Sequence, residues 1–198
     1  MGRPEAVHET VSTPEEGRLY LPSDDLADFD SDIARLIHQE ALRQEDRLIL
    51  IPSESLCPPP VREALASVFT NIYAEGYPSQ RMCREDEEYL LDQPRSLSYY
   101  RRYGDRRYYK GTEYVDLVEA LAQKRAARLF ANDRVPAERI LVNVQPLSGA
   151  AANNAVYEAF CVPGDVVMGM ALNHGGHLTH GSPVNRSGKR YKIVPYKV

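Results

Sequence analysis

The chain has 198 residues, 43% of them hydrophobic and 26% charged, a composition that excludes wholesale disorder, collagen-like repeats and a small disulfide scaffold. Its net charge of -4 gives no global basic footprint and speaks against a nucleic-acid partner, and no apolar run reaches the roughly 18 residues that span a bilayer, so no membrane partner is expected. Cys57, Cys83 and Cys161 are odd in number and far apart, the pattern of reduced thiols in a cytoplasmic protein, and the N-terminus carries no apolar signal-peptide core.

Residues 1–28 mix Pro, Gly, Glu, Asp and Thr without periodicity and read as a flexible arm. From Ser31 a helical period sets in, with Ile33, Leu36, Ile37, Ala41 and Leu42 on one face and Asp30 or Ser31 as the cap. Arg47 to Ile51 is a short extended apolar run closed by Pro52. Pro60 suits the first position of a helix running through Val61, Leu65 and Val68 to Phe69. Tyr73 to Gln80 is a loop punctuated by Gly76 and Pro78.

Residues 82–107 hold an acidic run, Glu85 to Glu88, and a basic aromatic one, Tyr99 to Tyr103 with Arg106 and Arg107. Opposite charges in one segment predict a helical excursion that pairs with itself or a neighbour. Interleaved Arg and Tyr could also stack on nucleobases, which the acidic run and the overall charge disfavour. An amphipathic helix follows from Glu113 to Phe130, with Val115, Val118, Leu121, Ala122, Ala126 and Leu129 as its apolar stripe and Thr112 as its cap. Residues 139–144 are a strand candidate; a polar loop, a helix from Ala150 to Phe160, a turn at Val162 to Asp165 and a strand at Val166 to Met170 come next. That order is a β-α-β unit and predicts a parallel α/β layer.

Three segments carry chemistry. Leu147-Ser148-Gly149 opens a helix, whose unpaired N–H groups and positive end, with the Ser148 hydroxyl, can cradle a phosphate; a plain helix cap reads the same way. His174, His177 and His180 fall within one short loop, open to three readings: metal ligands, an imidazole beside a planar cofactor, or a structural loop. Glu75, between two tyrosines and a glycine, is either a proton-transfer carboxylate or a solvated loop residue. Thirteen Tyr against four Phe suggest a wet aromatic cleft or a Tyr-rich packing surface.

Together these segments resemble the serine hydroxymethyltransferase family. Leu50-Ile51-Pro52-Ser53-Glu54 stands where the family has L-I-A-S-E-N, and Thr70-Asn71 with Tyr73-Ala74-Glu75-Gly76-Tyr77-Pro78 matches T-N-x-Y-A-E-G-Y-P. Arg107-Tyr108-Tyr109-Lys110-Gly111-Thr112-Glu113-Tyr114 matches R-Y-Y-x-G-x-E-Y. Asn143-Val144-Gln145-Pro146, Ser148-Gly149 and Ala152-Asn153 match N-V-Q-P-x-S-G-x-x-A-N, and Gly175 to Gly181 reads G-G-H-L-T-H-G.

The resemblance implies the first part of a type I pyridoxal-phosphate enzyme, an α/β fold with an incomplete large domain: an arm at 1–28, then a helical segment and the opening of the cofactor-binding domain at 29–198. It implies reversible transfer of a one-carbon unit from serine to tetrahydrofolate, giving glycine and 5,10-methylenetetrahydrofolate, with pyridoxal 5'-phosphate as cofactor. Carried over by motif, Ser148 and Gly149 would hold the cofactor phosphate and His177 would stack on its ring, which sets the metal reading aside. Ser53 and Tyr73 would line the amino-acid side, Tyr73 also reaching the cofactor; Glu75 would be the general acid/base; Tyr108 and Tyr109 would sit near cofactor and substrate. Leu172, Gly176 and Leu178 would line the folate pocket, and a homodimer, or a dimer of dimers, is implied because each site draws on a neighbouring subunit.

Three departures stand out. The family joins E-G-Y-P to R-Y-Y by a short link, whereas residues 79–106 intervene here; Ser55 replaces the motif's Asn; and none of Lys110, Lys124, Lys189, Lys192 and Lys197 lies in the family's T-T-H-K context. The aspartate that partners the pyridine nitrogen and the arginine that grips the substrate carboxylate have no counterpart either. The expectation is an N-terminal fragment of a longer enzyme, without turnover by itself. The rivals are a folate-independent aldolase of β-hydroxy amino acids and a non-catalytic stand-alone derivative.

Overall fold

The computed structural model describes residues 25–103 and 107–198, so most of the arm expected at 1–28 lies outside the described residues. The chain divides into two compact units, Met1–Ala64 and Leu65–Val198.

In the first unit Asp25 caps a single turn, α1 (Leu26–Phe29), and the Asp30 carboxylate accepts from the Ile33 amide to start α2 (Ser31–Asp46). Ile33, Leu36, Ile37 and Ala41 line a groove of about 420 Å³ that Arg62 borders. On α2, hydrogen bonds from Arg43 and Gln44 hold the Glu40 carboxyl down to about 2. The run from Leu48 to Ile51 pairs with no strand among the described residues, and Leu48 is almost fully exposed. Helix α3 (Pro59–Leu65) begins one residue earlier than the sequence suggests. It also stops short of Val68 and Phe69, because Ser67 turns extended and starts a separate 3₁₀ turn, Val68–Asn71.

The second unit contains the helical excursion expected between the loop at Tyr73 and the helix at Glu113. Residues 79–106 fold, where described, into α4 (Gln80–Arg84), α5 (Glu87–Leu91) and α6 (Gln93–Tyr103). Ser79 and Asp86 cap the first two by accepting from the amides of Met82 and Tyr89. These short helices pack on α7 (Glu113–Phe130), and Met82, Tyr89 and Leu90 form a buried cluster with Leu117 and Ala120. Charge completes the contact: Glu87 pairs with Arg125 and Arg128, and Lys124 donates to the Cys83 carbonyl at 3.0 Å. The expected pairing of the excursion with a neighbour is therefore present. Its guanidiniums stack on its own rings, Arg81 over Tyr99 at 4.4 Å and Arg95 over Tyr89 at 4.6 Å.

Helix α7 has the bounds read from the sequence but buries a different face. Leu117, Ala120 and Ala127 are covered, with Asp116 and Glu119, whereas Val118 and Leu129 of the expected stripe face solvent. The helices of 79–106 select the covered face, a choice that spacing along α7 cannot encode. Thr112 stands at the cap position, its carbonyl accepting from the Asp116 amide at 2.9 Å; its side chain does not cap the helix, and its hydroxyl lies 3.3 Å from the Tyr100 hydroxyl.

The strand expected at 139–144 is not formed. A 3₁₀ turn, Ala137–Arg139, is followed by irregular backbone, and Leu141 is 97% exposed. A strand needs a hydrogen-bonded neighbour, and among the described residues this stretch has none. The parallel pair instead joins β1 (Val166–Met170) to β2 (Lys192–Tyr196), one step later than the expected β-α-β unit. Between them run two 3₁₀ turns, Leu172–His174 and Leu178–His180, and the short α9 (Arg186–Arg190). Helix α8 (Gly149–Phe160) precedes β1, and Glu158 on it pairs with Arg186 and Arg190 on α9. The second unit is thus α/β, mostly helical with a small parallel sheet. No helix among the described residues is long and apolar enough to cross a membrane.

Candidate functional site

The loop at Tyr73 to Pro78 and the segment at Arg107 to Tyr109 meet despite the residues between them. Arg107 is the joint. Its Nη1 donates to the carbonyl oxygens of Ala74 at 2.6 Å and Gly76 at 3.0 Å, its Nε to Asp116 at 2.5 Å and its Nη2 to Glu119 at 2.6 Å. The Arg107, Asp116 and Glu119 side chains are 1%, 3% and 8% exposed. Burial pulls the guanidinium pKa down, and the bonds it donates to Glu119 and Asp116 more than reverse this, so the group stays charged. Gly76 sits at φ 106°, where a side chain is strained, and an added Cβ would lie 3.1 Å from the Arg107 Cα.

This joint sets the neighbouring residues. The Tyr108 amide donates to the Glu75 carbonyl at 3.1 Å, and the Tyr73 and Tyr109 rings stack with centroids 5.1 Å apart. The Glu75 carboxylate and the Tyr108 ring are exposed. Gln145 adds a fourth segment: its amide donates to the Gly76 carbonyl at 2.7 Å and to Glu119 at 2.9 Å. Four segments separated in sequence (73–78, 107–109, the start of α7 and 143–145) thus form one hydrogen-bonded frame. Ser53 lies in a turn of the other unit, exposed.

A second group sits around α8. Ser148 caps the helix, its hydroxyl accepting from the Ala151 amide at 3.2 Å, as the sequence suggested. Ser148 and Gly149 are exposed, and nothing lies within 4 Å of where a Cβ on Gly149 would stand, so the positive end of the helix is open to an anion. The histidine loop is tied back to this helix. Asn153 donates to the Thr179 hydroxyl at 2.7 Å, and that hydroxyl lies 2.6 Å from His177 Nδ1.

The three loop histidines take separate partners: His174 the Val198 carbonyl, His177 Thr179, and His180 the Tyr157 hydroxyl at 2.9 Å. Among the described residues no group of three His, Cys, Asp or Glu side chains could hold a metal. Burial raises the Tyr157 pKa, which keeps its proton in place against His180. Gly176 is required by close approach, since a Cβ there would run into the Met170 carbonyl. Leu172 and Leu178 flank it, both exposed.

Sequence reading assigned no role to Arg107, Asp116, Glu119, Gln145, Asn153 or Thr179. One signal was available: two acids at i and i+3 in the first turns of α7, with no cation at helical spacing to match them, imply a distant partner.

Comparison with known proteins agrees with the motifs. The family model described as serine hydroxymethyltransferase matches residues 26–102 and 91–198. The chain is 47% identical over 173 residues to a serine hydroxymethyltransferase of Yersinia pestis (strain Pestoides F), and equally to one of Yersinia pseudotuberculosis serotype O:3 (strain YPIII). These alignments cover 87% of this chain and 34% of each relative, so the chain spans about a third of the length of the curated relatives it matches. With matches along nearly all of its described length, the chain belongs to the serine hydroxymethyltransferase family.

Proposed function

We propose that the whole protein is a glycine hydroxymethyltransferase of the type I pyridoxal-phosphate fold, interconverting serine and tetrahydrofolate with glycine and 5,10-methylenetetrahydrofolate in the cytoplasm. The observation that carries this reading is the frame at Gly76, where Arg107 and Gln145 bring three of the family's motif segments together across the intervening residues.

The residues present fit a pyridoxal phosphate. The open start of α8, with Gly149 and the Ser148 hydroxyl, suits the phosphate, and the tethered His177 suits a ring neighbour. When bound, the cofactor supplies an electron sink for the substrate α-carbon. The protein's share is orientation and proton transfer. The stacked Tyr73 and Tyr109, with Tyr108, flank the amino acid, and the Glu75 carboxyl exchanges a proton with the serine hydroxyl oxygen. Leu172, Gly176 and Leu178 offer an apolar wall to the folate. Exposed apolar side chains on the sheet and on α8, Val166, Met168, Val156 and Phe160 among them, call for a covering layer outside these residues. That fits a homodimer whose site is completed beyond this chain.

The test is an assay of the protein at its full natural length with serine, pyridoxal phosphate and tetrahydrofolate. Folate-dependent glycine formation supports the reading. Cleavage of β-hydroxy amino acids indifferent to folate makes it an aldolase, and cofactor binding without either activity makes it a non-catalytic derivative.

A further inference from the structure

His177 is exposed, yet its ring is held from a buried point. Thr179 is 2% exposed, and its backbone nitrogen and its hydroxyl reach the same atom: the N–H donates to His177 Nδ1 at 3.2 Å and the hydroxyl lies 2.6 Å from it. A backbone N–H can only donate, so Nδ1 accepts, and the neutral ring carries its proton on Nε2. The hydroxyl must then give its proton to Nδ1, and a lone pair on its oxygen accepts from the Asn153 amide at 2.7 Å. The reverse orientation of Asn153 would leave the Thr179 oxygen and Nδ1 facing each other with no proton between them. The relay therefore has one direction, from Asn153 through Thr179 to His177.

We propose that Thr179, oriented by Asn153, is a positioning residue that locks His177 as the neutral Nε2–H tautomer in a single ring orientation. Asn153 lies on α8, the helix whose start is Ser148, so one rigid element fixes both the anion end of the site and the imidazole. A neutral ring stacks on an electron-poor, protonated pyridine without the charge repulsion an imidazolium would bring. Only this last consequence rests on the reading that His177 meets the cofactor ring. The tautomer lock is a property of the protein without cofactor.

The experiment is ¹⁵N-histidine NMR of the full-length, cofactor-free protein, with pyridoxal phosphate titrated afterwards. Wild type should show His177 as one Nε2–H species. Thr179→Val removes the hydroxyl at nearly constant shape and leaves Nδ1 only the longer 3.2 Å backbone N–H, too weak to hold the ring alone, so a mixed or exchanging tautomer should appear. Asn153→Asp, which can only accept, should draw the hydroxyl away and do the same; Thr179→Ser should restore the wild-type signal. Cofactor affinity should fall about tenfold in Thr179→Val and recover in Thr179→Ser. A Thr179→Val protein that folds and keeps the pure Nε2–H signal overturns the proposal. His177→Ala with unchanged cofactor affinity would instead remove the stacking reading and leave the tautomer result standing.

Discussion

Arg107 stands thirty-one positions beyond Gly76, and its guanidinium Nη1 donates to the Gly76 carbonyl oxygen at 3.0 Å. The same guanidinium pairs with Asp116 and Glu119 on α7, so one side chain closes the base of the 79–106 excursion and anchors the loop that carries Glu75. Replacing it with Met would take the guanidinium away from two buried carboxylates. The expected loss is about 3–5 kcal/mol of stability, read from urea unfolding of the full-length protein. Arg107→Lys should recover only part of it, since an ammonium cannot reproduce the planar fork. A Met variant as stable as wild type would count against the joint.

Glu75 meets the frame through its backbone: its carbonyl accepts from Tyr108, while the carboxylate is exposed. Glu75→Gln should therefore leave the loop intact and cofactor affinity near wild type, while slowing serine cleavage by about 10²-fold or more. Steady-state kinetics beside a cofactor titration separate the two, and undiminished turnover would remove the residue from its proton-transfer role.

The cysteines should differ in reactivity. Burial, and then the nearby Glu119 carboxylate, push the Cys83 thiol above its usual range, whereas Cys57 is exposed. A raised pKa means less thiolate at a given pH, so at pH 8 iodoacetamide should label Cys57 about tenfold faster or more. The gap should narrow as pH rises through the Cys83 pKa. Peptide mapping by mass spectrometry measures both rates, and equal labelling at pH 8 would contradict the burial.

Residues 79–106 supply Met82, Tyr89 and Leu90 to the buried cluster. Excising them behind a short link between Pro78 and Arg107 is geometrically easy, because the ends already meet, but it uncovers Leu117 and Ala120. The deletion should cost about 5 kcal/mol or more and yield a protein that binds hydrophobic dye or precipitates. A soluble deletion variant melting at the parent temperature would show the segment to be dispensable.

In the 198-residue chain by itself, amide exchange should split the apolar runs. Residues 141–144 have no ladder partner among the described residues, while 192–196 pair with β1. The first set should exchange orders of magnitude faster than the second. Matching slow protection across 141–144 would mean that they form a strand with a neighbour.

What the sequence determined by itself is what nearest-neighbour physics controls. Helix α7 runs from Glu113 to Phe130 as its 3.6-residue pattern requires, and α8 starts where the Ser148 side chain can reach the Ala151 amide. The motif segments are equally local, and they carried the family. Tertiary structure decided what depends on partners distant in the chain. It buried Leu117 and Ala120 rather than Val118 and Leu129, because Met82, Tyr89 and Leu90 come to rest on that side of α7. It left 140–144 without a ladder, since β-pairing is a property of two strands and only β1 and β2 found each other among the described residues. It also paired Arg107 with Asp116 and Glu119, and Asn153 with Thr179, because a buried charge or hydroxyl takes whichever partner the fold brings within hydrogen-bond reach.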